Sequence, residues 1–387
     1  MRLITALTPP NQDAVFFHLV RADGDAAAGS WDFTMPHRLR PCCAFGTGLG
    51  VRLGYLPIAG LKLDNIVEAE DLGRHKFNSG MISLQNEPSN AFISPEKNGL
   101  VYTCRGGFID TAHIRDYADW MVFLAVRLRD QLEKGGTIEL PEEGGRRYIH
   151  VAAIKPEILH RAERDELALL LAQWASIQLA IWHETATWYG WSSWGVFPET
   201  ASAFSPEDLY SNLVGIMLAT ALIRADLTSN EAEYNRSMDI AMPEVLRRLR
   251  AVPRDATRAA LKSVDGRWWD SKRLLPDKEV VLRRHFDIGP QIRPWLLPAD
   301  GPEAAWQIVR EHCDDDRPMP IRYPTRTAGI DLRAVIRFEV ELSPTLAARI
   351  GVYRPEGPWV SQDDFPTLLQ NAYGEARAEF GVRAGHP

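Results

Sequence analysis

Glu166-Leu-Ala-Leu-Leu-Leu-Ala-Gln-Trp-Ala-Ser-Ile-Gln-Leu-Ala-Ile-Trp-His-Glu-Thr-Ala-Thr-Trp-Tyr-Gly190 decides how this chain folds. From Leu167 to Trp182 nearly every side chain is apolar or small, with Gln173, Ser176 and Gln178 as exceptions. A helix apolar on almost all sides lies at the centre of a protein. Pro156 suits its opening, and Gly190 suits its stop after Tyr189. The end of this helix carries His183 and Glu184 inside an aromatic cluster. An ionised carboxylate in that setting needs a partner, a metal or a shifted pKa. His-Glu on a helix resembles the zinc-protease pattern HExxH, but Thr187 stands where the second histidine belongs, so that mechanism does not carry over.

Working outward, a second polar cluster precedes the helix at Asp110-Thr-Ala-His-Ile-Arg-Asp116 and a third follows at Ser205-Pro-Glu-Asp-Leu-Tyr-Ser-Asn212. Each lies at the predicted start of another helix. The first of these runs from Thr111 to Lys134 with Asp110 as N-cap, and Gly135-Gly136 ends it. Asp110, His113 and Asp116 then stack on one face. Asp116 and Asp119 fit solvated charges near the positive helix end as well as site residues. The helix after the loop is capped by Ser205, with Pro206 first and Asp208 completing an S-x-x-D box. Glu207 and Asp208 fit first-turn acids as well as site residues.

Further helices are predicted over Glu231–Ala251, with Pro243 as a kink or break, over Ala256–Val264 and over Phe365–Phe380. Ala334–Leu342 alternates as a strand. Residues 1–109 read as β-rich and irregular. Phe45-Gly-Thr-Gly-Leu-Gly50 resembles a nucleotide loop, but no helix follows it, and a glycine-rich hairpin fits better. The expected fold is mainly α (α+β): a helical core over 110–265 that carries the site, with small β-containing parts, 1–109 and 266–387, packed on it.

Net charge is −7, which lacks the basic footprint of a nucleic-acid binder. No run of about 18 apolar residues is present, so no membrane span is expected. The N-terminus is a poor signal peptide, which predicts a cytoplasmic chain, or an envelope-associated one if the start is truncated. Cys42, Cys43, Cys104 and Cys313 form no zinc pattern and read as reduced, mostly buried thiols.

Pro41-Cys-Cys-Ala-Phe-Gly46, Tyr102 to Trp120, Glu143-Gly-Gly-Arg146, Trp182-His-Glu-Thr-Ala-Thr-Trp-Tyr-Gly190 and Ala203 to Asn212 together resemble a bacterial family known as domain of unknown function 4056. The resemblance covers roughly residues 40–225 and brings no activity with it. Many members look like exported lipoproteins, and this chain departs from them in having no lipoprotein signal.

The three polar clusters converge, on this reading, on one metal-dependent site. His113, His183, Asp110 and Glu207 are the candidate metal ligands, with zinc as the default and iron or manganese as alternatives. Glu184 is a further ligand or the general base for a water that the metal activates. Arg105 and Arg115 are candidates to hold an anionic group or developing oxyanion. Trp188, Tyr189, Trp191 and Asn212 would contact a small-molecule or peptide substrate. The expected reaction is hydrolysis of an amide or ester. The alternatives are an iron-dependent oxidation and a non-enzymatic binding protein whose His and Glu form a structural network.

Overall fold

The computed structural model describes residues 33–37, 39–41, 43–53, 55–79, 95–155, 161–193, 198–298, 307, 309–313, 317–327, 329–352 and 357–380. Among them are seven helices and several small sheets, an α+β fold. Three long helices form the centre. The first, α1 (Thr111–Gln131), is capped by Asp110, whose Oδ1 accepts from the Ala112 amide at 2.7 Å. It ends one turn earlier than its spacing predicts, because the chain turns at Gln131 toward Gly135 (φ 67°), a left-handed position that glycine tolerates. The second, α2 (Arg161–Trp188), is the central helix; the Pro156 opening lies outside the described residues.

The third, α3 (Asp208–Arg224), is buried at every position through Leu222. It starts later than the capping box predicts, with Glu207 at the N-cap and no side-chain cap bond. Half of the box survives, since Asp208 Oδ2 accepts from the Ser205 amide at 2.8 Å. Helix α3 lies hard against α1 at Gly215, where an added Cβ would stand 2.2 Å from the Ile114 carbonyl oxygen. That approach brings the N-terminal turns of α1 and α3 to the same end of the bundle.

Around this centre pack α4 (Glu231–Arg248), α5 (Arg254–Ser263), α6 (Pro344–Ile350) and α7 (Phe365–Phe380). Pro243 lies inside α4 without breaking it, which removes the break from the expected kink or break. Burial of Tyr234, Met238, Ala241, Met242 and Val245 on one stripe holds the helix together despite the missing amide donor.

Short strands β1 (Thr47–Leu53) and β2 (Leu56–Asp64) form the glycine-rich hairpin expected there. Strands β3 (Leu100–Thr103) and β4 (Gly107–Asp110) form a second hairpin whose last residue is the α1 cap. A third hairpin, β5 (Gly136–Leu140) and β6 (Gly145–Val151), pairs antiparallel with β7 (Ile336–Leu342), which carries β8 (Trp359–Ser361) on its far side. The C-terminal part thus completes a sheet begun between α1 and α2, and one apolar core runs from Phe33 to Ala376.

Cys104 and Cys313 form a disulfide across 209 residues of sequence, which corrects the expectation of reduced thiols for this pair. Cys43 is a free thiol, and Cys42 lies outside the described residues. Among the described residues no helix is long and apolar enough to cross a membrane.

Candidate functional site

Four carboxylates meet where α2 ends and α1 and α3 begin. Asp110 comes from the β4–α1 junction, Glu184 from the last turn of α2, and Glu207 and Asp208 from the start of α3. All four are buried. Asp110 gives both oxygens to backbone amides, Oδ1 to Ala112 and Oδ2 to Cys43 at 3.0 Å. Glu184 Oε2 accepts from the Phe204 amide at 2.6 Å, while its Oε1 has no hydrogen-bond partner among the described residues. Glu207 is 1% exposed and neither of its oxygens has one. Nor has the amide nitrogen Nδ2 of Asn212.

His113, one turn into α1, presents Nδ1 to Asn212 Oδ1 at 2.8 Å. An amide oxygen only accepts, so Nδ1 donates to it and Nε2 is turned toward the carboxylates. Nε2 lies 3.6 Å from Asp208 Oδ1. This is the arrangement of a histidine oriented by its outer nitrogen for work at the inner one.

The charge balance of this joint is unusual. Burial, reinforced by Asp110 and Glu184, pushes the Glu207 carboxyl well above the usual range. Burial, then Glu184 and Glu207, does the same to Asp208. Burial also raises Asp110, against the pull of His113. The nearest buried cation is Arg284, whose guanidinium burial lowers to about 10 while Asp208, Glu184 and Glu207 pull it up. Its nitrogens already bond the Ala203 and Lys278 carbonyls. Arg284, with the His183 imidazolium already paired to Glu143, cannot balance four carboxylates, so protons or a further cation must do so.

Backbone strain accompanies this imbalance. Phe204 has a positive φ of 56°, costly for a bulky residue. Its amide is held by Glu184 and its carbonyl accepts from the His285 amide at 2.7 Å.

His183 points elsewhere. Its Nδ1 meets Glu143 Oε1, and Glu143 also pairs with Arg147. Burial alone would lower the His183 imidazole, but the Glu143 carboxylate outweighs it and holds it at about 9. The His183 ring remains 6.4 Å from that of His113 and 5.8 Å from that of Trp191. Glu143 lies in the Glu143-Gly-Gly-Arg146 stretch, whose composition gives no sign of a partner 40 residues away.

The other predicted residues divide. Arg115 belongs to a second buried network beside the first. Its Nη2 donates to the Leu72 carbonyl at 2.7 Å and its Nη1 lies 3.4 Å from Glu96. At the centre of that network Arg40 binds Glu96 at 2.6 Å, Asp116 at 2.8 Å and Asp119 at 3.0 Å. Asp116 and Asp119 are therefore buried ion-pair partners, a correction to solvated charges. Arg105 sits half-buried in the β3–β4 turn, its backbone tied to Leu249 and Met319, and no hydrogen bond joins it to the carboxylates among the described residues. The Trp188 indole donates to Glu375 at 2.8 Å, and the Tyr189 hydroxyl also bonds Glu375, so both face α7.

Trp191 lines open space. A cavity of about 450 Å³ lies between it, Trp120, Glu143 and Arg147. Its wall at Glu143 is the outer partner of His183, one residue from Glu184. Among the described residues no three His, Cys, Asp or Glu side chains already stand at metal-holding spacing.

No curated protein and no solved structure matches this chain. Residues 31–298 match the family described as "Protein of unknown function (DUF4056)", and the chain belongs to that family.

Proposed function

We propose that this chain is a metal-dependent hydrolase of an amide or ester bond, with a divalent ion held by Glu207, Asp208 and His113 and with Glu184 as a further ligand or the general base. The observation that carries the reading is Glu207, a deeply buried carboxylate with two unbonded oxygens beside three other carboxylates. Glu184 Oε1, Asp208 Oδ1 and His113 Nε2 supply further donors. Rotation of the Glu207 side chain away from its own backbone amide would close the set; among the described residues no other residue bonds it. Asp110, with both oxygens on backbone amides, holds the start of α1 in place. Three carboxylates to one imidazole is a harder donor set than zinc prefers and favours manganese or iron, which keeps an iron-dependent oxidation as the second reading.

The ion would supply Lewis acidity at neutral pH. Hydrolysis adds the oxygen of water to the acyl carbon; the amine or alcohol leaves with a proton, and a carboxylic acid is the second product. Glu184 is the group placed to take the proton from water, its Oε2 fixed by the Phe204 amide and its Oε1 unengaged. Arg284 lends a fixed positive field in place of the predicted Arg105 and Arg115. The Cys104–Cys313 disulfide favours an oxidising compartment over the cytoplasm.

The test is hydrolysis of p-nitrophenyl acetate and p-nitroacetanilide by protein loaded with Mn²⁺ or Zn²⁺, before and after chelation. Glu184→Gln should retain the metal and lose about 10²- to 10⁴-fold in rate if Glu184 is the base, and lose both if it is a ligand. Hydrolysis that survives chelation unchanged, or none in any loaded form, would refute the reading.

A further inference from the structure

The cavity beside Glu143 does not end at Trp191. A second one, of about 640 Å³, continues on the other side, walled by Gly144, Gly145, Arg146, Glu341 and Pro344. Glu142, Trp191 and Ser193 line both, so the two cavities adjoin as a groove on either side of Trp191.

The floor of the groove is rigid. The Glu143 amide donates to the Gly145 carbonyl at 2.9 Å, and the Ser343 amide to the Gly144 carbonyl at 2.9 Å. Gly144 has a φ of 67°, and a Cβ there would meet Leu346 at 2.4 Å. Gly145 would meet the Glu341 carbonyl oxygen at 2.2 Å. Side-chain-free backbone at both positions lets the turn pack against Leu346 and against the end of β7. A preformed groove spares a ligand the cost of ordering it.

Its chemistry narrows the ligand. Arg146 pairs with Glu341 at 2.6 Å and Arg147 with Glu143, so the cations are already neutralised and Glu142 adds a negative charge. A polyanion gains nothing there. The lining mixes carboxylates, guanidinium groups and hydroxyls with indole, which does not suit an acyl chain. An extended peptide that recognises a sheet adds to an unpaired strand edge. Both strands at this groove, β6 and β7, have partners on each side. What remains is a ligand with flat C–H faces for indole and a rim of hydroxyls for planar ionic side chains.

We infer that this groove binds an unbranched, uncharged glycan, with Trp191 as its central platform. The inference rests on the hydrolase reading only in making the acyl bond one carried by a sugar residue. The binding itself needs no metal.

Isothermal titration with cellohexaose and chitohexaose tests it on the full chain. At least one hexasaccharide should bind, about tenfold or more tighter than its disaccharide, since cavities on both sides of Trp191 engage more rings than one alone. Trp191→Ala should weaken hexasaccharide binding about tenfold or more, and Trp191→Phe should keep most of it. Thermal midpoints of both variants near wild type show that the fold is intact. Failure of both hexasaccharides, equal binding by Trp191→Ala, or binding of a ten-residue peptide in their place would overturn the inference. Sugar binding by a protein that takes up no metal would leave the groove standing and remove the hydrolase.

Discussion

Glu207→Gln is expected to bind Mn²⁺ at least about a hundredfold more weakly than the wild type, a loss of about 2.7 kcal/mol. The metal-free variant should nevertheless unfold at a higher temperature. The two effects share one cause. In the metal-free chain Glu207 is buried with no hydrogen bond from another residue among the described ones, beside Asp110, Glu184 and Asp208. Ionised, it is an unsolvated charge among like charges; protonated, it has been forced up from its ordinary range. Either state carries a cost that a neutral amide of the same shape avoids. Removing about 1 kcal/mol of that cost raises the midpoint of a chain this long by about 1–2 °C. With Mn²⁺ present the order should reverse, because an ion that binds only the folded state stabilises it by mass action. A structural Glu207 behaves otherwise: its glutamine variant would melt no higher without metal, and metal would shift neither protein.

Arg40→Ala is expected to destabilise the fold by about 3–5 kcal/mol, the usual result of removing one member of a buried ion pair. Arg40 bonds Glu96, Asp116 and Asp119, and its Nη2 donates to the Lys76 carbonyl at 2.9 Å. Without it three buried carboxylates are left to Arg115, His75 and the Tyr234 hydroxyl, which donates to Asp119 at 2.8 Å. Urea unfolding measures the loss, and Arg40→Lys should fall between variant and wild type. A change under about 1 kcal/mol would show that the network adds no stability.

The same network sets the acid limit. Burial opposes ionisation of Glu96, but Arg40 and Arg115 outweigh it and hold the carboxyl far below the usual range. Arg40 and His75 likewise hold Asp119 down against burial. A carboxyl depressed in the folded state stabilises above its unfolded pKa of roughly 4, and that contribution is lost as pH falls toward its folded value. Stability should therefore decline below about pH 4, and Glu96→Gln should flatten that decline.

The helices were legible because they are long and strongly patterned. Leu167 to Trp182 can only be central, and Asp110 can only be a cap before such a run. The polar residues of the joint were legible for a related reason. Charged and hydrogen-bonding groups at the ends of apolar helices stand out, and α1 and α3 bring theirs together at Gly215. What could not be read was partnership across the chain. Arg284 and Glu143 lie in segments with no period, and nothing local ties them to Glu184 or His183. Asp116 and Asp119 fit the surface pattern of a first turn until Arg40, 76 residues earlier than Asp116, is placed against them. Cys104 and Cys313 are 209 residues apart and read singly as thiols. The groove depends on β7 closing against β6, a long-range pairing that no stretch of sequence displays.

The central claim is that the buried carboxylates hold a cation. The most direct measurement is an anomalous difference map at the manganese edge from crystals grown with Mn²⁺. The account predicts a peak about 2.0–2.3 Å from oxygens of Glu207 and Asp208 and from His113 Nε2, with Glu184 beside it. A map with no peak among these residues in fully loaded crystals, with Glu207 still unbonded, would contradict it.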